Sequence, residues 1–134
     1  MNSPLWVPSD SQKETAQMTS FIDLIKTNYG VDISGYDALH AWSVGQVEEF
    51  WSEFWDYAQV VSSAKGCRIL VDGKKFPGAR WFPDAKLNYA ENLLRFRDDR
   101  VALISLMEDG SRKEITYSEF HSLVSRLVVA LKDD

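Results

Sequence analysis

Residues 47–61 carry apolar, mostly aromatic side chains at helical intervals: Val47, Phe50, Trp51, Phe54, Trp55, Ala58 and Val61. This spacing of about 3.6 residues predicts an amphipathic helix with a broad buried face. Ser43, followed by Gln46, is predicted to cap the start of this helix. Large aromatic rings supply core area more often than they line a ligand site, so Trp51 and Trp55 are expected to be core residues.

Two further helical segments precede this one. Ser11 and Glu14 have the spacing of a capping box, and apolar residues then recur at helical intervals until Gly30, which predicts a helix over residues 11–29. Residues 36–42 read as a short apolar helical turn. The opening residues 4–8 are expected to be extended, because their two prolines disfavour a helix.

After residue 62 the pattern changes to short strands and loops. Residues 67–71 read as a short strand, and residues 74–84 read as a loop that presents Phe76, Trp81 and Phe82 without regular periodicity. Loops of this kind usually line or cover something.

The last third of the chain predicts a short helix and then a strand, turn, strand and helix. Asn88 is expected to cap a helix that runs to about Phe96. The apolar run 101–107 indicates a strand buried on both faces, and residues 108–110 form a turn signal before a partner strand over 112–116. Thr116 and Glu119 form a second capping box, which starts a helix that reaches about Leu131.

Composition excludes several classes of protein. A net charge of −5 over 134 residues disfavours broad nucleic-acid binding, which depends on a basic surface. Cys67 is the only cysteine, so no disulfide can form within the chain, and a reducing, cytoplasmic setting is expected. No segment approaches the roughly 20 apolar residues needed to span a bilayer, and no membrane partner is expected.

Residues with reactive side chains do not form a recognisable site. The glycines match neither phosphate-binding spacing, and His40 and His121 lack metal-ligand partners at the usual spacing, so partly buried structural histidines are favoured over a base or a ligand. Capping accounts for the hydroxyls of Ser43 and Thr116. Cys67 is interpreted as a buried, inert thiol.

Charged residues offer one further candidate. The adjacent carboxylates at 48–49 and 98–99 are interpreted as solvated surface, because neighbouring side chains point apart. Residues 65–100 contain nine basic and five acidic residues. That excess could recognise a phosphate-bearing ligand, although a solvated or domain-facing surface is favoured.

One segment resembles a known family. Residues 81–94 read Trp-Phe-Pro-Asp-Ala-Lys-Leu-Asn-Tyr-Ala-Glu-Asn-Leu-Leu, which resembles the amino-terminal segment of the acetoacetyl-coenzyme A synthetases, in the acyl-adenylate-forming superfamily. Residues 4–9, 36–44, 48–51 and 115–120 resemble the same family in the same order. Val47 and His40 depart from its pattern, where a proline and an aromatic residue are expected.

The resemblance implies an α+β fold, with a helical and loop-rich cap over residues 1–100 and the first hairpin and helix of a large α/β domain over 101–134. It implies a ligase that joins acetoacetate to coenzyme A through an acyl-adenylate, with ATP, Mg²⁺ and coenzyme A used by the whole enzyme and none by this segment. The family's catalytic and phosphate-binding motifs have no match here, so no catalytic, cofactor-binding or metal residue is expected. The partners are then the rest of the ligase chain and a small acid.

Two other readings remain open. A related Trp-Phe segment occurs in acetate- and propionate-coenzyme A ligases, which makes that branch an alternative for the acid substrate. A stand-alone interaction module could also be built on the same fold fragment, with Trp81-Phe82 and Leu5-Trp6 exposed to a partner protein.

Overall fold

The computed structural model describes residues 5–132, which form two compact units. The first unit runs to Val60 and also includes Lys65–Asp84, whereas the second contains Val61–Ala64 and the residues from Ala85 onward. Helices dominate the first unit, and a β-hairpin followed by a helix dominates the second. The chain is therefore α+β, as the sequence predicts.

Four helices precede the first strand: α1 (Asp10–Glu14), α2 (Gln17–Tyr29), α3 (Tyr36–Gly45) and α4 (Val47–Tyr57). The prediction of one helix over residues 11–29 is wrong, because α1 and α2 are separate. Ala16 between them has an extended backbone, and the Thr15 hydroxyl donates to the Ser11 carbonyl oxygen at 2.9 Å. Gly30 ends α2 in the left-handed conformation, with a φ of 64°.

The first helix is capped by Ser9 and not by the predicted Ser11. The Ser9 hydroxyl accepts from the Gln12 amide, and the Gln12 side-chain oxygen accepts from the Ser9 amide at 2.9 Å. This reciprocal pair of hydrogen bonds caps the start of α1 at Ser9, two residues earlier than expected. Pro4, in the segment predicted to be extended, lies outside the described residues.

Ser43 does not cap α4, which corrects a second prediction. It lies within α3, where its hydroxyl donates to the His40 carbonyl oxygen at 2.8 Å. Gln46 occupies the cap position without a side-chain hydrogen bond. The helical turn predicted for residues 36–42 is longer than expected, since α3 continues to Gly45, and α4 ends at Tyr57 rather than Val61.

The core of the first unit forms around α2 and not around α4. Its buried side chains are Phe21, Ile22, Ile25, Ile33 and Leu39. Trp51 remains 39% exposed and Trp55 is half-buried, so the expectation that both are core residues is wrong. The face of α4 that carries Phe50 and Tyr57 packs onto this small core, and a unit of this size cannot enclose every ring of the stripe.

A minimal antiparallel pair, β1 (Leu70–Val71) with β2 (Arg80–Trp81), completes the first unit. The predicted strand over 67–71 is shortened to its last two residues, and β2 lies inside the predicted loop. Such short strands carry no periodic signal. They are held together by non-local hydrogen bonds, including that from the Phe82 amide to the Ile69 carbonyl oxygen at 2.8 Å.

The second unit contains α5 (Tyr89–Leu93), β3 (Val101–Leu106), β4 (Arg112–Thr116) and α6 (Tyr117–Lys132). Strands β3 and β4 pair antiparallel, with a bulge between Val101 and Leu103. None of the helices within residues 5–132 combines the length and the apolar character needed to cross a bilayer.

Both predicted caps in this unit are confirmed. Asn88 accepts from the amides of Ala90 and Glu91, although α5 ends at Leu93 rather than near Phe96. The Thr116 amide donates to the Glu119 carboxylate at 2.9 Å, and the Glu119 amide donates to the Thr116 hydroxyl at 3.2 Å. These bonds join β4 to α6 without an intervening loop.

Candidate functional site

The two histidines belong to different units. His40 lies exposed on α3, stacked on Tyr36 with ring centroids 6.1 Å apart. His121 is half-buried on α6 and lines an open cavity of about 280 Å³ together with Arg95 and Arg97. A structural histidine, as the sequence favours, fits the partial burial of His121 better than the exposure of His40.

Cys67 is exposed, which overturns its interpretation as a buried thiol. The reason is the late start of β1, which leaves residues 67–69 outside the strand pair. Arg68 beside it donates from Nε to Asp84 at 2.8 Å, and a second bond from the guanidinium to the same carboxylate makes the pair bidentate. The hydrogen bond from Arg68 holds the pKa of Asp84 below its ordinary value.

Four of the nine basic residues in the stretch 65–100 form ion pairs among the described residues: Lys65, Arg68, Lys75 and Arg100. Lys65 donates to Asp56 at 2.8 Å and to the Ser52 carbonyl oxygen at 3.1 Å. Arg100 donates to both carboxylate oxygens of Asp98, at 2.9 and 3.0 Å from Nε, and this bonding lowers the pKa of Asp98. These pairs favour a structural role for the stretch over phosphate recognition.

The carboxylates do not assemble a metal site. Glu48 and Glu49 are exposed in the first turn of α4, where negative charge suits the helix dipole. Within residues 5–132 no group of three or more histidine, cysteine, aspartate or glutamate side chains is placed to hold a metal ion.

An open apolar groove of about 390 Å³ runs between α2, α3 and α4. Its walls include Met18, Phe21, Leu39 and Phe54. At one end the Tyr57 hydroxyl donates to the Gln17 side chain at 2.7 Å, which links α4 to the start of α2. Helical periodicity locates each of these residues, but only the packing of three helices brings them to one groove.

The largest unpartnered feature of the second unit is strand β3. Among the described residues β3 pairs only with β4, so its other edge meets no strand there. Both of its faces carry exposed apolar side chains, with Leu103 46%, Ile104 54% and Leu106 72% exposed, so the prediction that this strand is buried on both faces is wrong for the part of the chain that the structure describes. An apolar edge strand left open in this way is a template for strand addition.

Helix α6 extends the same apolar surface. It contacts β3 and β4, yet several of its apolar residues stay exposed: Leu123, Leu127, Val128, Val129 and Leu131. Together with Leu103, Ile104 and Leu106 of β3 they form what we call the hairpin–helix surface. Apolar side chains exposed in such number indicate an interaction site.

Sequence reasoning foresaw the apolar strand but missed one feature of the predicted loop 74–84. Phe76, at the tip between β1 and β2, is 101% exposed. The sequence does show Lys74, Lys75 and Arg80 around Phe76 and a proline. Only the structure shows that the Phe76 ring packs against none of the described residues.

Comparisons with known proteins all find similarity to coenzyme A synthetases. Residues 36–93 match the family described as acetyl-coenzyme A synthetase N-terminus. An acetoacetyl-coenzyme A synthetase from Rhizobium meliloti is 42% identical over 129 residues, which span 96% of this chain and 20% of that protein. The acetoacetyl-CoA synthetase from Rattus norvegicus is 37% identical over 131 residues, spanning 96% of this chain and 19% of its own length.

A relative named for another acid and a solved structure complete the comparison. A malonamoyl-CoA synthetase from Penicillium aethiopicum is 32% identical over 123 residues, covering 87% of this chain and 17% of that protein. The structure of an acetoacetyl-CoA synthetase from Streptomyces lividans matches with a TM-score of 0.83 and 34% identity, over 98% of this chain and 21% of the other. The chain therefore spans about a fifth of the length of the curated relatives it matches.

Proposed function

Because this chain is related in sequence and fold to the amino-terminal segment of the acetoacetyl-coenzyme A synthetases, we propose that it is the non-catalytic amino-terminal part of a ligase that joins acetoacetate to coenzyme A. The whole enzyme then uses ATP and Mg²⁺, acts on a small acid and works in the cytoplasm. Residues 1–100 form its cap, and residues 101–134 begin its large domain. Nucleic acid has no part in this role.

The open edge of β3 is the observation that carries this proposal. An edge strand with apolar residues on both faces is costly in water, and natural proteins cover, shorten or charge such edges. Here the strand is uncharged from Val101 to Leu106. A further strand of the ligase, outside these 134 residues, pairs with the open edge, and elements that pack on the sheet cover its two apolar faces. The hairpin–helix surface is then buried inside the large domain of the whole enzyme.

We propose that this segment holds neither the nucleotide nor the metal of the ligase. No cluster within residues 5–132 is suited to a metal ion, and the glycines do not follow a phosphate-binding pattern. Transfer at a phosphoryl group depends on backbone donors and cations that are already in place around it. The chemistry of the ligase therefore belongs to parts of the enzyme outside this segment.

The reading frame beyond Asp134 is the first test. A continuation that contains a Gly-rich phosphate loop supports the ligase, whereas a natural stop codon at that point contradicts it. The longer polypeptide is then purified and assayed for pyrophosphate release with ATP, Mg²⁺, coenzyme A and either acetoacetate or acetate. Faster release with acetoacetate is expected, and equal or faster release with acetate assigns the protein to the neighbouring branch.

The 134-residue chain provides the matching negative experiment. Incubated with ATP, Mg²⁺, acetoacetate and coenzyme A, it is expected to release no AMP, because it lacks the groups that stabilise phosphoryl transfer. Sustained release of AMP by the purified chain contradicts a non-catalytic role.

One observation favours a second candidate, a stand-alone module that binds a partner protein. Leu5 is 107% and Trp6 70% exposed, and Trp81 is 45% exposed, as such a module requires. This candidate predicts a natural stop at Asp134 and a folded, monomeric chain that needs no further strands. The open edge of β3 makes it the weaker of the two, since a module that functions alone has to protect that edge.

A further inference from the structure

The loop between β1 and β2 presents an aromatic side chain that packs against none of residues 5–132. This loop, residues 72–79, together with Arg80 at the start of β2, is here called the hairpin tip. Phe76 at its centre is 101% exposed, as much as in an extended peptide. Exposing a whole phenylalanine ring forgoes the stabilisation that burial of such a side chain contributes. The ring therefore adds no packing to the part of the chain that the structure describes.

The hairpin tip is nevertheless well defined. The Lys75 amide donates to the Asp72 carbonyl oxygen at 2.8 Å, and the Lys75 ammonium lies 3.1 Å from the Asp72 carboxylate. Gly73 lies directly under Leu70, where an added Cβ would come within 2.5 Å of a Leu70 methyl carbon. At Gly78 an added Cβ would lie 3.3 Å from the Cβ of Lys75, and the φ of 133° there favours glycine. These contacts hold the loop in the shape that presents Phe76 outward.

The charge of the tip is unbalanced around Phe76. Asp72 is paired with Lys75, and Asp84 is held by Arg68. Lys74 and Arg80 form no ion pair within 4 Å in residues 5–132. The tip thus combines one fully exposed aromatic ring with two cations outside any ion pair, of which Arg80 lies near enough to Asp84 for its charge to help lower the pKa of that carboxyl.

We propose that the hairpin tip docks into an apolar recess with an acidic rim on the part of the ligase outside these 134 residues. This inference rests on the proposed function, because it takes its partner from the same polypeptide. The chain spans only 20% of the length of its Rhizobium meliloti relative, so about four fifths of such an enzyme is available as a docking surface. A tethered partner also has a high effective concentration, which lets a small contact of one ring and two charges suffice.

Hydrogen exchange tests the docking directly. The amides of residues 76, 78 and 79 are followed in the 134-residue chain and in the longer polypeptide under the same conditions. Docking predicts exchange that is roughly tenfold or more slower in the longer polypeptide, because a docked loop opens less often. Equal exchange in the two proteins overturns the proposal.

Two variants separate the ring from the charges. Phe76→Ala and the double change Lys74→Glu with Arg80→Glu are each expected to abolish the added protection in the longer polypeptide. Lys13→Glu on α1 is the matched control, since Lys13 is also exposed, and it should leave the protection intact. Phe76→Ala should also leave the melting temperature of the 134-residue chain unchanged, because the ring contacts nothing there. Protection that survives both tip variants overturns the proposal.

The outcomes distinguish this inference from the proposed function. Protection of the tip in a longer polypeptide without ligase activity supports the docking and contradicts the assigned reaction. An active ligase with an unprotected tip supports the assigned reaction and contradicts the docking. Protection that appears in the 134-residue chain alone as its concentration rises identifies a second copy as the occupant. Protection induced in that chain by phosphatidylserine vesicles identifies an anionic lipid surface. Either of these last results overturns an internal docking site.

Discussion

At the scale of single residues, Asn92 of the second unit makes three side-chain hydrogen bonds to backbone groups. Its side-chain oxygen accepts from the Val61 amide at 2.8 Å, and its side-chain nitrogen donates to the carbonyl oxygens of Val61 at 2.8 Å and Asn88 at 2.9 Å. The Asn92 side chain thus hydrogen-bonds to both the amide and the carbonyl oxygen of Val61, as a neighbouring strand would, and links α5 to the segment 61–64. This explains why an asparagine stands in the segment 81–94 that resembles the family.

Asn92→Ala is therefore expected to destabilise the chain by about 1–3 kcal/mol, because the half-buried amide and carbonyl of Val61 lose their partners. The free energy of unfolding in urea measures the effect. Asn28→Ala is the control, since Asn28 is exposed on α2 and its side-chain nitrogen donates to the Glu53 carboxylate at 3.1 Å. Equal effects of the two changes contradict the role assigned to Asn92.

The pair of Arg68 and Asp84 makes a prediction about pH. Because the hydrogen bond from Arg68 lowers the pKa of Asp84 in the folded chain, the pair contributes stability above the ordinary aspartate pKa of about 3.9, and that contribution is lost as the pH falls through the lowered value. Carboxyl resonances followed by NMR should show Asp84 titrating below an ordinary aspartate. Arg68→Ala should move its pKa upward, whereas Arg100→Ala should not. An unchanged titration in Arg68→Ala contradicts the assignment.

At the scale of elements, α2 forms the centre of the core, although the sequence pattern predicted that α4 would do so. The stripe of α4 is the more aromatic, yet α2 supplies Phe21, Ile22 and Ile25 to the core. The rings of α4 meet Phe21 edge-on, with centroids 5.7 Å away for Phe50 and 5.8 Å away for Phe54. Helix α4 therefore covers the core from one side and keeps part of its aromatic surface in contact with solvent.

Truncation should rank the two helices accordingly. Ile25 is 0% exposed, so Ile25→Ala is expected to cost about 2–5 kcal/mol of unfolding free energy. Trp51 is 39% exposed and mainly contacts other rings, so Trp51→Ala should cost only about 1–2 kcal/mol. Urea unfolding of both variants decides the order. A larger loss for Trp51→Ala restores α4 as the centre of the core.

At the scale of the whole molecule, the two units leave more apolar surface exposed than a self-sufficient domain does. The first unit has the helical groove and the hairpin tip, and the second has the hairpin–helix surface. Each unit has local order and ion pairs of its own, but β3 lacks a neighbour along one edge within residues 5–132. Such exposure is expected of a segment that completes its fold against a larger body.

The 134-residue chain is therefore expected to self-associate through β3. Light scattering should show an apparent mass that rises with concentration, because open apolar edges pair with one another. Ile104→Lys should suppress this association, since it places a charge on the edge strand opposite Glu114, where it does not disturb the hairpin. Val44→Lys on α3, at an exposed valine of the other unit, is the control and should leave the association unchanged. A chain that stays monomeric at all concentrations contradicts the open edge.

Local patterns in the sequence were sufficient to locate most helices, the β3–β4 hairpin and the caps at Asn88 and Thr116. These features depend on contacts between residues only a few positions apart, which spacing and side-chain chemistry reveal directly. The resemblance of residues 81–94 to a family was likewise readable without a structure. It led to the same relatives that share the fold.

Only the tertiary structure decided which apolar residues are buried. It placed Ile25 in the core and left Trp51 half exposed, moved Cys67 to the surface, and paired β1 with β2 inside a predicted loop. Each of these outcomes depends on contacts between residues far apart in the chain, and a periodic pattern shows which face of a helix is apolar but not what covers it. The same physical reason applies to Phe76, whose isolation at the hairpin tip is a property of the packing around it.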